Sequence, residues 1–215
     1  MPTGRRAHVK LPIFIFDFGG VVIKWKNNNP IFDNIAQRYG IPKRELRSIL
    51  ERELSVLEAG EVTIREFLDG ALGRFGKKLR GGDSPDELWI EPFERLVKFR
   101  VGTVKVIESL RRRGYKVYIF SNTSAPHVKF FKRMGWGGLV DGFISSCELR
   151  SNKPSLTAFA RALERIGAKA SEVVFIDDRE ANVIGAREFG IRWTFRFTTV
   201  EKLKKDIAPL IASRG

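Results

Sequence analysis

The sequence predicts an α/β protein: a mostly parallel sheet with helices on both faces and a cap of helices inserted after the first strand. Three observations carry this reading. Apolar runs at Ile13–Phe16, Val117–Phe120 and Val173–Ile176 each end on polar residues, namely Asp17, Ser121-Asn122 and Asp177-Asp178. From Thr103 onward such runs alternate with helix-length segments, the pattern of a parallel sheet joined by crossover helices. From Pro30 to about Arg100 no strand pattern appears, and helix-start signals follow one another instead.

Taken in order, a first strand near Leu11–Phe16 leads into Gly19-Gly20, then Val21–Trp25 and the polar turn Lys26–Asn29. Pro30 suits the first position of a helix, where its missing N–H is not needed. Leu46, Ile49, Leu50, Leu54 and Leu57 recur at helical spacing and give the next segment one apolar face. Thr63-Ile64-Arg65-Glu66 reads as a capping box, and Ser84-Pro85-Asp86-Glu87 as a second with proline at its first position. Gly81-Gly82-Asp83 is a loop. A helix to about Arg113 precedes the strand at Lys116–Phe120, and a helix from Ser124 precedes a strand at Phe143–Ser145. Ser155–Ile166 is helical ahead of Val173–Ile176, Ala181–Phe189 follows it, Arg192–Phe195 is a last strand and Val200–Ala212 a closing helix. No internal repeat or low-complexity tract is visible.

A chain of 215 residues with an apolar fraction of 43% can bury a sizeable core as one domain plus a modest insertion. No apolar stretch approaches the roughly 20 residues needed to span a bilayer. The start, Met1–Arg6, is basic, but Ile13–Phe16 is too short for a signal-peptide core and runs directly into Asp17. The lone Cys147 excludes an internal disulfide and fits a reducing compartment. No His lies near it in sequence, so it reads as a small buried hydrophobe. A soluble cytoplasmic protein is therefore expected. The net charge of +14 invites a nucleic-acid reading. Yet the basic residues are scattered along helix ends and faces, with no zinc-finger spacing or ribonucleoprotein motif beside them. A solvated Lys/Arg-rich surface is expected instead, with neither nucleic acid nor membrane as partner.

If the three polar-ended runs are adjacent parallel strands, their carboxyl ends converge at the edge where open α/β sheets bind ligands. Several carboxylates and a hydroxyl then share one small volume. Mutually repelling carboxylates gathered in this way call for a cation, and oxygen-only ligands suit Mg²⁺. His8 and His127 are the only histidines, and neither stands in a metal-ligand spacing. Trp25 and Trp89, in and near the helical insertion, read as core residues ahead of pocket-lining ones.

The ordered set Asp17-Phe18-Gly19-Gly20-Val21, Ser121-Asn122-Thr123, Lys153-Pro154 and Asp177-Asp178 with Asn182 resembles the four motifs of the haloacid dehalogenase-like hydrolase superfamily. Each motif alone is weak; four in order, each at the correct end of its element, are specific. The resemblance covers nearly the whole chain. It implies a Rossmann-like core made of residues 1–26 and 101–215, with a helical cap at 27–100 that closes over the site and selects the substrate. It also implies Mg²⁺-dependent hydrolysis of a small phosphorylated metabolite through an aspartyl-phosphate. Asp17 is then the nucleophile and a metal ligand, with Asp178 and the Gly19 carbonyl as further ligands. Ser121 and Asn122 are expected to hydrogen-bond the phosphoryl oxygens, and Lys153 to neutralise the nucleophile and the transition state. Asp177 is expected one step back, orienting Lys153 or a metal-bound water, with Asn182 at the acidic position four residues on.

One position departs from the family pattern. Typical phosphatases of the superfamily carry a second Asp two residues after the nucleophile as general acid and base, and here that position is Gly19. The next acidic residue is Asp33, in or at the edge of the cap. A missing acid predicts a preference for good leaving groups, or help from a residue of the cap. The competing readings are a phospho-ligand-binding or partner protein of impaired catalysis, and a 2-haloacid dehalogenase. Dehalogenases of that type lack the Asp177-Asp178 pair.

Overall fold

The computed structural model describes residues 11–24, 30–135 and 138–212. In chain order its elements are β1 (Ile13–Phe16), β2 (Ile23–Lys24), α1 (Pro30–Tyr39), α2 (Lys43–Glu58), α3 (Ile64–Gly73), α4 (Pro85–Leu96), β3 (Lys98–Phe99) and α5 (Val101–Arg112). Then come β4 (Val117–Ser121), α6 (Ala125–Arg133), β5 (Gly142–Ser145), α7 (Ser146–Leu149), α8 (Leu156–Ile166), β6 (Val173–Asp177), α9 (Glu180–Glu188), β7 (Trp193–Arg196) and α10 (Val200–Ala212).

Five strands form one sheet in the order β5-β4-β1-β6-β7, every neighbouring pair parallel. Strands covered on both faces read as unbroken apolar runs, which is why β1, β4 and β6 are so conspicuous in the sequence. Their alternate residues divide between two cores. Phe14, Phe16, Val117, Ile119, Val174 and Ile176 face one side, with Ile107 and Leu110 of α5 and Leu203 of α10. Ile13, Ile15, Phe120, Val173 and Phe175 face the other, with Phe159 and Ala162 of α8 and Ala186 of α9. Phe159 meets the rings of Phe120 and Phe175 edge-on, at 5.9 and 5.4 Å between centroids.

Register decides where the polar ends fall. Phe16 lies opposite both Ile119 of β4 and Ile176 of β6. Asp17 is therefore level with Phe120 and Asp177, and its N–H donates to the Ile176 carbonyl at 2.8 Å. Ser121, Asn122 and Asp178 lie one or two residues beyond, at the same edge. The sheet gathers the three polar ends as the strand order requires.

Between β2 and β3 stand the four helices α1–α4. Thr63 closes the expected capping box with Glu66. At α4 Ser84 Oγ accepts from the Glu87 N–H at 3.3 Å, with Pro85 in the first turn. The core cluster on the first face of the sheet continues without a break into these helices through Phe32, Leu50, Phe67 and Trp89. Trp89 packs against Phe32 and Phe67 at 5.8 and 5.6 Å. Two elements were not legible in the sequence. β3 pairs antiparallel with β2 (Ile23 opposite Phe99, Lys24 opposite Lys98), a ladder too short to leave an alternation. The four-residue α7 follows β5 directly and carries Cys147, half-buried, with its thiol pKa raised by that burial. His8, Trp25, the turn Lys26–Asn29 and the expected boundary between residues 26 and 27 lie outside the described residues. Among the described residues no helix is long and apolar enough to cross a membrane.

Candidate active site

Lys153 is the hub of the site. Its side chain is fully buried, and its ammonium donates to Asp17 Oδ1, Asp177 Oδ2 and the Phe120 carbonyl, each at 2.7 Å. Those three bonds use all three of its donors. Burial alone would lower its pKa, but the carboxylates of Asp17 and Asp177 overcome that and raise it. Asp17 shows the converse. Burial pushes its pKa above the usual carboxylate range against the pull of Lys153, and the nearby Asp177 and Asp178 push the same way.

Asp177 is wholly buried. Besides Lys153 it accepts from the Arg179 N–H at 2.9 Å and from the Asn182 amide at 3.0 and 3.1 Å. Its oxygens are thus occupied by Lys153 and by groups at the start of α9. Asp178 is only partly buried, and burial raises its pKa too, with Asp177 adding to the effect. One oxygen from each of Asp17, Asp177 and Asp178 lies within 4.8 Å of the others. Gly20 makes this close approach possible. It sits at φ +79°, and a Cβ there would fall 2.1 Å from Asp178 Oδ2. A side chain at residue 20 would displace the carboxylate.

Asn122 lines the same space, with its side-chain amide turned to Lys153. Its Nδ2 donates to the Lys153 carbonyl at 2.8 Å, and its Oδ1 accepts from the Lys153 N–H at 2.9 Å. Both ends of the amide hold the Lys153 backbone. The reason lies in the fold: the loop ahead of α8 passes beside the end of β4, and an amide matches one residue's N–H and C=O together. Ser121, almost fully buried, does line the site and donates weakly to the Asn122 carbonyl at 3.3 Å.

These groups form the floor of a cavity of about 420 Å³. Its floor includes Asp17, Gly19, Ser121, Lys153 and Asp178; its wall includes Ile31, Leu54, Trp89, Phe93 and Phe131. Trp89 is thus both a core residue and part of the wall. Three further lining residues escaped the sequence reading: Glu58, His127 and Arg179. Burial pushes the Glu58 carboxyl up to about 7, against the pull of Arg179 and Lys153. Burial lowers His127 to about 4, so it is neutral near pH 7, with its Nδ1 3.0 Å from Ser124 Oγ. No local pattern marks Glu58, the last residue of a long helix. For His127 the three-residue spacing from Ser124 was the available signal. Asp33, the next acidic residue downstream of Gly19, is directed elsewhere and pairs with Arg47 at 2.8 Å.

Strand order, polar strand ends and a lysine joining two of the acids define an α/β hydrolase of a known kind. Residues 11–190 match the model of the haloacid dehalogenase-like hydrolase family, and the chain belongs to that family. Among curated proteins it is similar to a sesquiterpene phosphatase of Aspergillus oryzae, 26% identical over 182 residues, which are 82% of this chain and 85% of the relative. It is also similar to flavin mononucleotide hydrolase 1 of Arabidopsis thaliana, 21% identical, with 94% of this chain and 78% of the relative covered. Among solved structures, an enzyme of the same family from Bacteroides thetaiotaomicron superimposes with a TM-score of 0.73. It is 23% identical, and 91% of this chain and 97% of that one are covered. That enzyme has been solved in complex with magnesium and inorganic phosphate.

Proposed function

We propose that this hydrolase is a Mg²⁺-dependent phosphatase whose nucleophile is Asp17, acting on a small phosphorylated metabolite with an apolar or aromatic body. One observation carries the reading: Lys153 bridges Asp17 to Asp177 at the floor of a cavity that Asp178 also lines. A lone capping aspartate would need none of this. Asp17 attacks phosphorus and forms the aspartyl-phosphate, which water then hydrolyses. Lys153 compensates the charge that builds up on the phosphoryl oxygens, and its three fixed bonds mean that it need not reorganise as the reaction proceeds. Ser121 Oγ donates to a phosphoryl oxygen. Asn122 and Asp177 keep Lys153 in place, and Asn182 keeps Asp177 in place.

The clustered carboxylate oxygens suit a hard divalent cation, and Mg²⁺ held by Asp17, Asp178 and the Gly19 carbonyl would supply the countercharge that lets two anions meet. We assign residues 1–26 and 101–215 to the catalytic core and 27–100 to the cap. Ile31, Leu54, Trp89 and Phe93 of the cap form most of the apolar wall, so the organic part of the substrate rests there. Similarity to a sesquiterpene phosphatase and a flavin mononucleotide hydrolase supports a bulky apolar or aromatic body.

The test is hydrolysis of an aryl phosphate with Mg²⁺, with chelator, and by Asp17→Asn. Activity that disappears in the second and third samples is the expected result. Binding of phosphate without turnover would instead make the chain a phospho-ligand-binding or partner protein. Release of halide from a 2-haloacid without metal would make it a dehalogenase.

A further inference from the structure

With glycine at residue 19, no carboxyl stands where the family's proton donor usually does, yet an alkoxide leaving group needs a proton. Building on the phosphatase reading above, we propose that Glu58 of the cap gives that proton and takes one back from the water that hydrolyses the aspartyl-phosphate. Among the described residues lining the cavity, the carboxyls are those of Asp17, Asp178 and Glu58. The first two are already assigned to attack and to cation binding. Glu58, at the end of α2, is the lining carboxyl left for the leaving group.

Its placement is fixed by the core. The last turn of α2 and the Gly60 just past it are bound to the segment running from α7 into the next loop by three hydrogen bonds: Ser146 Oγ to the Glu58 carbonyl at 2.6 Å, Asn152 Nδ2 to the Ser55 carbonyl at 2.6 Å, and Arg150 Nη1 to the Gly60 carbonyl at 2.9 Å. Gly60 lets the chain turn tightly there, at φ +67°. A Cβ on it would sit 2.4 Å from the Cys147 carbonyl oxygen. The same segment continues directly into Lys153, so the helix end that carries Glu58 and the buried ammonium are held by one short stretch of chain.

The electrostatics suit a group that must both give and take a proton. Lys153 and Arg179 draw Glu58 toward its anion, burial opposes them more strongly, and the balance lies at about 7. Asp17 and Asp178 share the cavity, and His127 is neutral there. The other helices packed on α2 bring no further charge to this space: α1 contributes only Ile31, and α3 and α7 contribute nothing to the lining.

In the first step Asp17 Oδ bonds to phosphorus, the bond from phosphorus to the ester oxygen breaks, and that oxygen takes the Glu58 proton to leave as the alcohol. In the second, water attacks the phosphoryl group, its proton passes to Glu58, and inorganic phosphate leaves with Asp17 restored. No oxidant or co-reactant besides water is needed.

The experiment is rapid mixing of wild type and Glu58→Gln, with Mg²⁺, against 4-nitrophenyl phosphate and hexyl phosphate. Nitrophenolate leaves without help, so Glu58→Gln should release a first equivalent of it within about tenfold of the wild-type rate and then stall. That burst also shows the variant to be folded. First-turnover release of hexanol should fall by about 10²-fold or more, the usual scale of general acid catalysis. Equal losses on the two substrates, or no loss on hexyl phosphate, would overturn the inference, while wild-type release of nitrophenol that Asp17→Asn abolishes would still uphold the phosphatase reading. A wild type that releases neither alcohol would overturn both.

Discussion

Lys153 shows how one residue can serve stability and chemistry together. Its ammonium lies with no solvent exposure between two carboxylates and a carbonyl. Taking such a charge out of water costs several kcal/mol, which only complete pairing offsets. Removing one partner therefore costs more than the pair itself contributes. Lys153→Met should lower the unfolding free energy by about 3–5 kcal/mol at neutral pH, because it strands Asp17 and Asp177 together without a countercharge. Denaturant titration checks this, and a loss below 1 kcal/mol would mean that the lysine is not the hub. The sequence pointed to Lys153 only through Pro154 and the helix behind it. That Asn122 would clasp its backbone was not legible, because the partnership joins residues 31 apart in the chain. Glu58 was invisible for the same reason: a glutamate ending an amphipathic helix looks like any solvated helix end until the fold turns it inward.

At the scale of elements, the helical insertion is fastened to the core and to itself by different means. α4 meets α6 through Phe93, which packs edge-on against His127 and Phe130 at 4.6 and 5.5 Å. Ion pairs of Lys129 with Asp86 and Arg133 with Glu94 surround that contact. Exposed pairs of this type contribute about 0–1 kcal/mol each, so the aromatic contact dominates. Within the insertion Asp83 ties the loop before α4 to the end of α1, accepting from Arg38 and from the Tyr39 hydroxyl. These bonds hold its carboxyl down at about 2, against an ordinary value of 3.8. A depressed acid stabilises the fold fully above its unfolded pKa and loses that contribution as pH falls through the folded one. The Asp83 contribution should thus be complete above about pH 4 and vanish toward pH 2. Wild type and Asp83→Asn should differ in melting temperature at pH 6 and converge near pH 2. A difference that persists unchanged at pH 2 would exclude the carboxylate as its source. The helices of this region were legible because caps and apolar spacing are local signals. β3 and α7 were not, since elements of two and four residues leave no period to detect.

The whole molecule places two unlike surfaces in one cavity. Parallel strand ends supply carboxylates and the loop ahead of α8 a buried ammonium, while the inserted helices supply Ile31, Leu54, Trp89 and Phe93. That Asp17, Ser121, Asp177 and Asp178 share one edge of the sheet was legible from where polar residues follow apolar runs, because strand order alone converges them. The second surface was not legible, because which side of each helix meets the site depends on packing among all four. A substrate that satisfies both surfaces has a phosphoryl head and an apolar body. For primary alkyl phosphates of increasing chain length, kcat/KM should therefore rise by about fourfold per added methylene, the equivalent of ~0.8 kcal/mol for each buried CH₂. The rise should stop once the tail fills the roughly 420 Å³ available. Replacing Leu54, which is only partly buried, by Ser should flatten the series while changing the shortest substrate little. Wild-type rates that ignore chain length would mean that the apolar wall is merely core and that substrate choice resides in the polar floor.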